Sequence, residues 1–168
     1  DRIDQAIKSA KRNERNVAIL VLNFETLQRV SDAMGMSIAE KVLKSSIHRL
    51  KTLLRATDTV TVSDRNEMSF TISRLDSDQI VILLTDLKST DIVTTIIQRI
   101  FTSFEPPLLV ESEEYYMDSS VGVSLYPFDG QESELLLRNA SSAMREAREN
   151  SDKNSFRFYA DEINQRFK

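Results

Sequence analysis

Residues 68–87 read MSFTISRLDSDQIVILLTDL, two strand-like runs joined through the polar tetrad Asp76–Ser77–Asp78–Gln79. MSFTISRL alternates apolar and polar residues, as a half-buried strand does, whereas IVILLTDL stays apolar, as a central strand does. Asp and Ser side chains bond their own backbone and favour turns, so DSDQ by itself reads as a hairpin turn. Just upstream, TDTVTVS (57–63) alternates too, and a further strand is expected there, with DRNE (64–67) as its tip. This central hairpin is the reference from which the rest of the chain is placed.

Before it, Ile3, Ala6, Ile7 and Ala10 recur at helical spacing and predict a lead-in helix over 2–13. VAILVLNF (17–24) is continuous and rich in β-branched residues, which predicts a strand buried on both faces. A short helix over 25–33 ends near Gly35. A longer one runs from Ser37 to about Arg55, with Ile38, Val42, Leu43, Ile47, Leu50 and Leu54 as its apolar stripe. After the hairpin, Asp91–Phe104 is helical with Ile92, Ile96, Ile97, Ile100 and Phe101 inward, and Pro106–Pro107 stops it. LLVES and YYMDSSVGVSLY read as a second hairpin, followed by a loop from Pro127 to Gly130. A helix over 132–149 and a strand FRFYA (156–160) complete the pattern, before a polar helical tail over 161–168.

Composition narrows the chemistry. The chain has 168 residues, 40% of them hydrophobic, enough for a single domain with its own core and no inner linker or repeat. A formal net charge of −4 leaves no basic stripe for a nucleic-acid polymer. With no cysteine there is no disulfide frame, thiolate metal site or cysteine nucleophile. His48 is the only histidine and falls in a helical pattern, where it reads as a structural residue. No apolar run reaches the roughly 20 residues that span a bilayer, and no leader pattern is seen, so a cytoplasmic domain without membrane contact is expected. Three scattered glycines, Gly35, Gly122 and Gly130, make neither a P-loop nor a dinucleotide fingerprint. Metal chemistry would have to rest on carboxylates, which favour hard ions such as magnesium. Tyr115, Tyr116 and Phe128, lacking basic neighbours, read as packing residues.

Reduced to its order, the chain is a helix followed by βααββαββαβ. Two crossovers around a central hairpin give a ferredoxin-like α+β plan, a mostly antiparallel sheet flanked by helices. In that plan the first strand lies antiparallel beside the strand leaving the hairpin. Asn23 and Asp78 should therefore be neighbours.

On this plan, four segments resemble one family. LNFETLQRVSDAMGMSIAEKVL is similar to LDxDxFKxxNDxxGHxxGDxxL, and SRLDSDQIVILL to ARLGGDEFxxLL. DSSVGVSLYPFDG is similar to xxSxGIxxxPxDG, and NASSAMREARENSDKNSFRFY to NADxAMYxAKxxGRNxYxFY. These are motifs of the GGDEF domain of bacterial diguanylate cyclases, which join two GTP molecules into cyclic di-GMP. The resemblance covers nearly the whole chain and implies the nucleotide-cyclase palm form of the fold.

It also implies what each position would do, and where this sequence departs. The reaction sets a 3′-hydroxyl on an α-phosphate, so magnesium is wanted to gather charge. The family's metal aspartate at the end of the first strand matches Asn23, an amide that brings no charge. The two signature glycines, which let backbone approach the triphosphate, match Asp76 and Ser77. The third position keeps its acid as Asp78; the fourth becomes Gln79, which cannot act as a base; the fifth becomes Ile80. The guanine-contacting asparagine and aspartate match Ser31 and Glu40. The two phosphate-facing lysines match Gln28 and Arg148. A carboxylate at Asp76 about 5 Å from a phosphate charge would repel it by about 3 kcal/mol at an effective dielectric near 20. That corresponds to roughly a hundredfold in affinity. RATD matches the family's RxxD product-binding motif through Arg55 and Asp58, and the resemblance implies that TVSDRNEMSFTI is inserted after it as a longer hairpin.

The resemblance thus implies a GGDEF domain with a vestigial signature, acting as a regulatory or interaction module in cyclic di-GMP signalling. A neighbouring phosphodiesterase (EAL) or sensor domain is the expected partner, and FYADEINQRFK is similar to the linker into an EAL domain. GTP or cyclic di-GMP are the implied ligands, with magnesium only where a nucleotide is bound, and a homodimer is the implied assembly. Two alternatives stay open: a weakly active cyclase in which Glu25, Asp76 and Asp78 regroup around magnesium, and a cyclic di-GMP sensor through Arg55 and Asp58. A scaffold that binds neither nucleotide is the bland reading.

Overall fold

Asn16–Phe24 forms β1, and eight of its nine residues are buried, because helices cover both of its faces. Even-numbered residues from Ala18 to Phe24 join the core under one helical layer, and Val17, Ile19 and Val21 join the core on the opposite face. The computed structural model describes the backbone of residues 2–62, 68–150 and 154–160, and the side chains of all of these except 57–62.

The order is α1 (Arg2–Asn13), β1, α2 (Glu25–Met34), α3 (Met36–Val62), β2 (Ser69–Asp76), β3 (Gln79–Leu87), α4 (Asp91–Ser103), β4 (Leu108–Val110), β5 (Glu113–Tyr115), β6 (Ser119–Tyr126), α5 (Ser133–Glu149) and β7 (Ser155–Phe158). The main sheet has five strands in the order β2-β3-β1-β6-β7, antiparallel except for the parallel β6–β7 pair. Residues of α2, α3 and α4 pack into one core with Leu20, Leu22, Ile80, Ile82, Leu84, Val121 and Val123. Residues of α1 and α5 pack on the other face, against Val17, Ile19, Val21, Val81 and Leu83. This is the expected α+β plan, with the first strand antiparallel beside the strand that leaves the central hairpin.

Gly122, in the middle of β6, lets α5 settle onto the sheet. A Cβ there would lie 2.1 Å from the Ala140 carbonyl oxygen and from the Met144 nitrogen. Only a residue without a side chain fits beneath that helix. Beyond β6, the Asp129 carboxylate turns back to accept the Leu125 N–H at 2.8 Å, and Asn139 on α5 donates to the Asp129 carbonyl at 2.8 Å. Burial pushes the Asp129 carboxyl above its ordinary value, and the Leu125 hydrogen bond opposes that shift.

Three expectations need correction. Residues 57–62, read as strand, continue α3, while 63–67 lie outside the described residues. Extending an existing helix adds one hydrogen bond per residue without a new nucleus, and this outweighs the modest β preference of Thr and Val. The backbone described up to Val62 therefore lengthens a helix rather than the hairpin. The second hairpin is also divided: β4 pairs with the three-residue β5 in a small separate ladder, and β6 belongs to the main sheet. Third, Tyr116 and Phe128 are 63% and 68% exposed, so they are not packing residues, whereas Tyr115 is half-buried. His48 is exposed on α3. The expected tail over 161–168 lies outside the described residues.

Candidate functional site

The antiparallel register of β1 and β3 sets Asn23 opposite Gln79 and brings the end of β1 against the DSDQ turn. The Phe24 N–H donates to the Asp78 carbonyl at 3.2 Å. The Asn23 side chain, 1% exposed, donates from Nδ2 to Asp78 Oδ2 at 3.1 Å. Its Oδ1 is buried and finds no hydrogen-bond partner among the described residues. The neighbours expected from topology are therefore in contact. Asn23 presents a donor to the surviving carboxylate rather than a second oxygen toward a shared ion.

On the other side of the turn lies a cleft of about 240 Å³, lined by Leu27, Gln28, Ser31, Met36, Ala39, Glu40, Arg74, Ser77 and Asp78. α2 delivers Leu27, Gln28 and Ser31 at helical spacing. Gly35, with φ of 94°, separates α2 from α3, and the first turns of α3 then supply Met36, Ala39 and Glu40. Five positions singled out from sequence, Gln28, Ser31, Glu40, Ser77 and Asp78, thus meet around one cavity. Gln28 is itself engaged, donating to Asp32 at 3.0 Å.

The wall residue that sequence reasoning missed is Arg74. It ends the β2 alternation Phe70–Ile72–Arg74, whose members stand opposite Leu84, Ile82 and Ile80 on the face that α3 covers. That periodicity was the available signal. Arg74 grips Glu40 with both terminal nitrogens, Nη1 to Oε1 and Nη2 to Oε2, the latter at 2.8 Å. The fork is the strong, two-point form of a carboxylate contact. It holds the Glu40 carboxyl below its ordinary value and the Arg74 guanidinium above its own. On its outer side, the same stretch of α3 is tied by Lys41 to Glu111 at the tip of the β4–β5 hairpin.

The remaining candidates stand elsewhere. The Asp76 carboxylate accepts the Ser77 N–H at 2.7 Å, which closes the turn on itself. Glu25 faces Arg29 at 3.9 Å, and among the described residues no three acidic or histidine side chains are grouped to hold a metal. Glu25, Asp76 and Asp78 therefore form no group in this structure. Magnesium prefers several hard oxygens, and this donor set of one carboxylate, engaged by an amide N–H, does not fit it. Arg148 is half-buried in the last turn of α5, which lies over the sheet face carrying Asn23. Arg55 is exposed on α3, about 22 Å along the helix from Glu40 at 1.5 Å per residue. Asp58 lies one turn further on, and its side chain is outside those described.

Comparison with known proteins agrees with this architecture. A family model described as "Diguanylate cyclase, GGDEF domain" matches residues 1–154. The chain belongs to the GGDEF domain family. It is 29% identical, over 98% of its length and 22% of the relative's, to the bifunctional diguanylate cyclase/cyclic di-GMP phosphodiesterase MucR of Pseudomonas aeruginosa. It is 26% identical, over 99% of its length and 23% of the relative's, to the cyclic di-GMP phosphodiesterase PdeR of Escherichia coli. The chain thus spans about a fifth of the length of these curated relatives. Among solved structures, the GGDEF domain of YfiN (TpbB) from P. aeruginosa superposes with a TM-score of 0.80 at 22% identity, covering 94% of this chain and 90% of that one. An EAL/GGDEF domain protein from M. capsulatus gives 0.76 at 26% identity, covering 93% and 92%.

Proposed function

We propose that this GGDEF domain is a regulatory module of cyclic di-GMP signalling that binds a guanine nucleotide by its base and does not convert it. The observation that carries this reading is the state of the turn. Asp76 and Ser77 stand where two glycines would admit a triphosphate, and Asn23 and Gln79 stand where two acids would hold metal and assist proton removal. Asp78, the one acid that the family signature keeps here, is hydrogen-bonded to an amide. The cleft beside it keeps a carboxylate, Glu40, and a hydroxyl, Ser31, at the positions that the family uses for guanine. Recognition outlives turnover in this arrangement, because a base can be held without a metal whereas a triphosphate cannot be activated without one.

Relatives named as phosphodiesterases, PdeR and NbdA, contain a region similar to this chain within a much longer protein. That supports a role in which the domain, read as one unit over 1–168, reports nucleotide to a neighbouring EAL or sensor domain. Incubation with GTP and magnesium, followed by chromatography for cyclic di-GMP, tests the proposal. No product, together with saturable binding of a guanine nucleotide, is the expected result; clear turnover would sink it.

A further inference from the structure

Arg74 and Glu40 come from opposite walls of the cleft, one from the end of β2 and the other from the second turn of α3. Their paired contacts join those walls. The geometry has a chemical counterpart. A guanidinium fork offers a carboxylate two parallel N–H donors, and the N1–H and N2–H edge of guanine offers the same. We propose that Arg74 is an intramolecular occupant of the cleft, standing on Glu40 where a guanine edge would stand, so that the base enters only as Arg74 lets go. This rests on the reading of the cleft as a base site.

Arg74 has a second anion close by when it leaves. Asp76, two residues further along the chain, also favours its charged form. Moving the guanidinium from Glu40 toward Asp76 therefore does two things at once. It frees the carboxylate for the base, and it screens the charge that repels phosphate. The cleft has a closed position, Arg74 on Glu40, and an open one, Arg74 toward Asp76. A ligand that binds only the open position shifts the balance by its preference for it. Both side chains are about two-fifths exposed, so solvent screening offsets part of the fork's strength and an edge that reproduces its two donors can displace it.

The test compares two nucleotides that carry the same phosphate. The chain, its Arg74→Gln variant and its Glu40→Gln variant are titrated calorimetrically with GMP and with AMP, so that phosphate effects cancel in the ratio of affinities. Arg74→Gln is expected to raise the GMP-to-AMP preference by roughly two- to fivefold, the scale of an exposed ion pair. Glu40→Gln is expected to abolish the preference. In the unsubstituted chain, GMP should shift the Arg74 Nε–H resonance as Glu40→Gln does. A preference unchanged or lowered by Arg74→Gln, with GMP still bound, overturns the occupant and leaves the base site standing. GMP bound by none of the three proteins removes the base site itself, and the occupant with it.

Discussion

Of the places in this molecule that answer to a glycine in the motifs it resembles, two have fared differently. At Gly122 the residue is still glycine, and a single added carbon would sit 2.1 Å from the backbone of α5. At the tip of the central hairpin, the corresponding residues are Asp76 and Ser77, both exposed. The first glycine serves the packing of the chain against itself. The other two would serve the approach of a phosphate. In this chain the internal demand is still met by a glycine, whereas the two positions that would meet the external one carry side chains.

The largest effect expected on this view is at the packing glycine. Gly122→Ala should lower stability by about 3 kcal/mol or more, since backbone atoms of α5 have to give way. Urea unfolding measures this, and a loss below about 1 kcal/mol would mean that α5 is free to shift. The complementary change is Asp76→Gly with Ser77→Gly, which leaves the fold intact and removes the repelling carboxylate. GTP affinity should rise by roughly a hundredfold. An unchanged affinity would show that the turn's charge is not what excludes the triphosphate.

The smallest effect concerns the carboxylate that closes the loop after β6. Asp129 has a raised value in the folded chain, so the native state holds its proton more tightly than the unfolded state does. The contribution is most favourable below the unfolded value, near pH 4, and is lost as pH rises through the folded one. Asp129→Asn should therefore gain on the unsubstituted chain as pH is raised from 3 to 7. Parallel stability curves for the two proteins would contradict this.

Much of the architecture was legible because hydrophobic pattern and topology agreed. The apolar run of β1 identified a central strand, and the order of elements placed Asn23 beside Asp78 across more than fifty residues. What stayed hidden has local causes. Residues 57–62 alternate like a strand, yet they follow a formed helix and extend it. The β4–β5 reversal uses Glu111 and Ser112 at φ of 49° and 69°, conformations usually signalled by Asn or Gly, so its letters gave no warning. Arg74 was read only as the end of a strand. Its place in the site became visible once Phe70 and Ile72 were set against α3, because the partner, Glu40, is 34 residues away in sequence.

The length of α3 has a mechanical consequence. Its 27 residues make a rod of about 40 Å whose first turns form a wall of the cleft and are tied on two sides by Arg74 and by Lys41. A rod turns angle into distance. A pivot of about 5° at the tied end carries the other end through about 3.5 Å, more than the length of a hydrogen bond. A single unbroken helix thus joins the wall of the cleft to a point about 40 Å away.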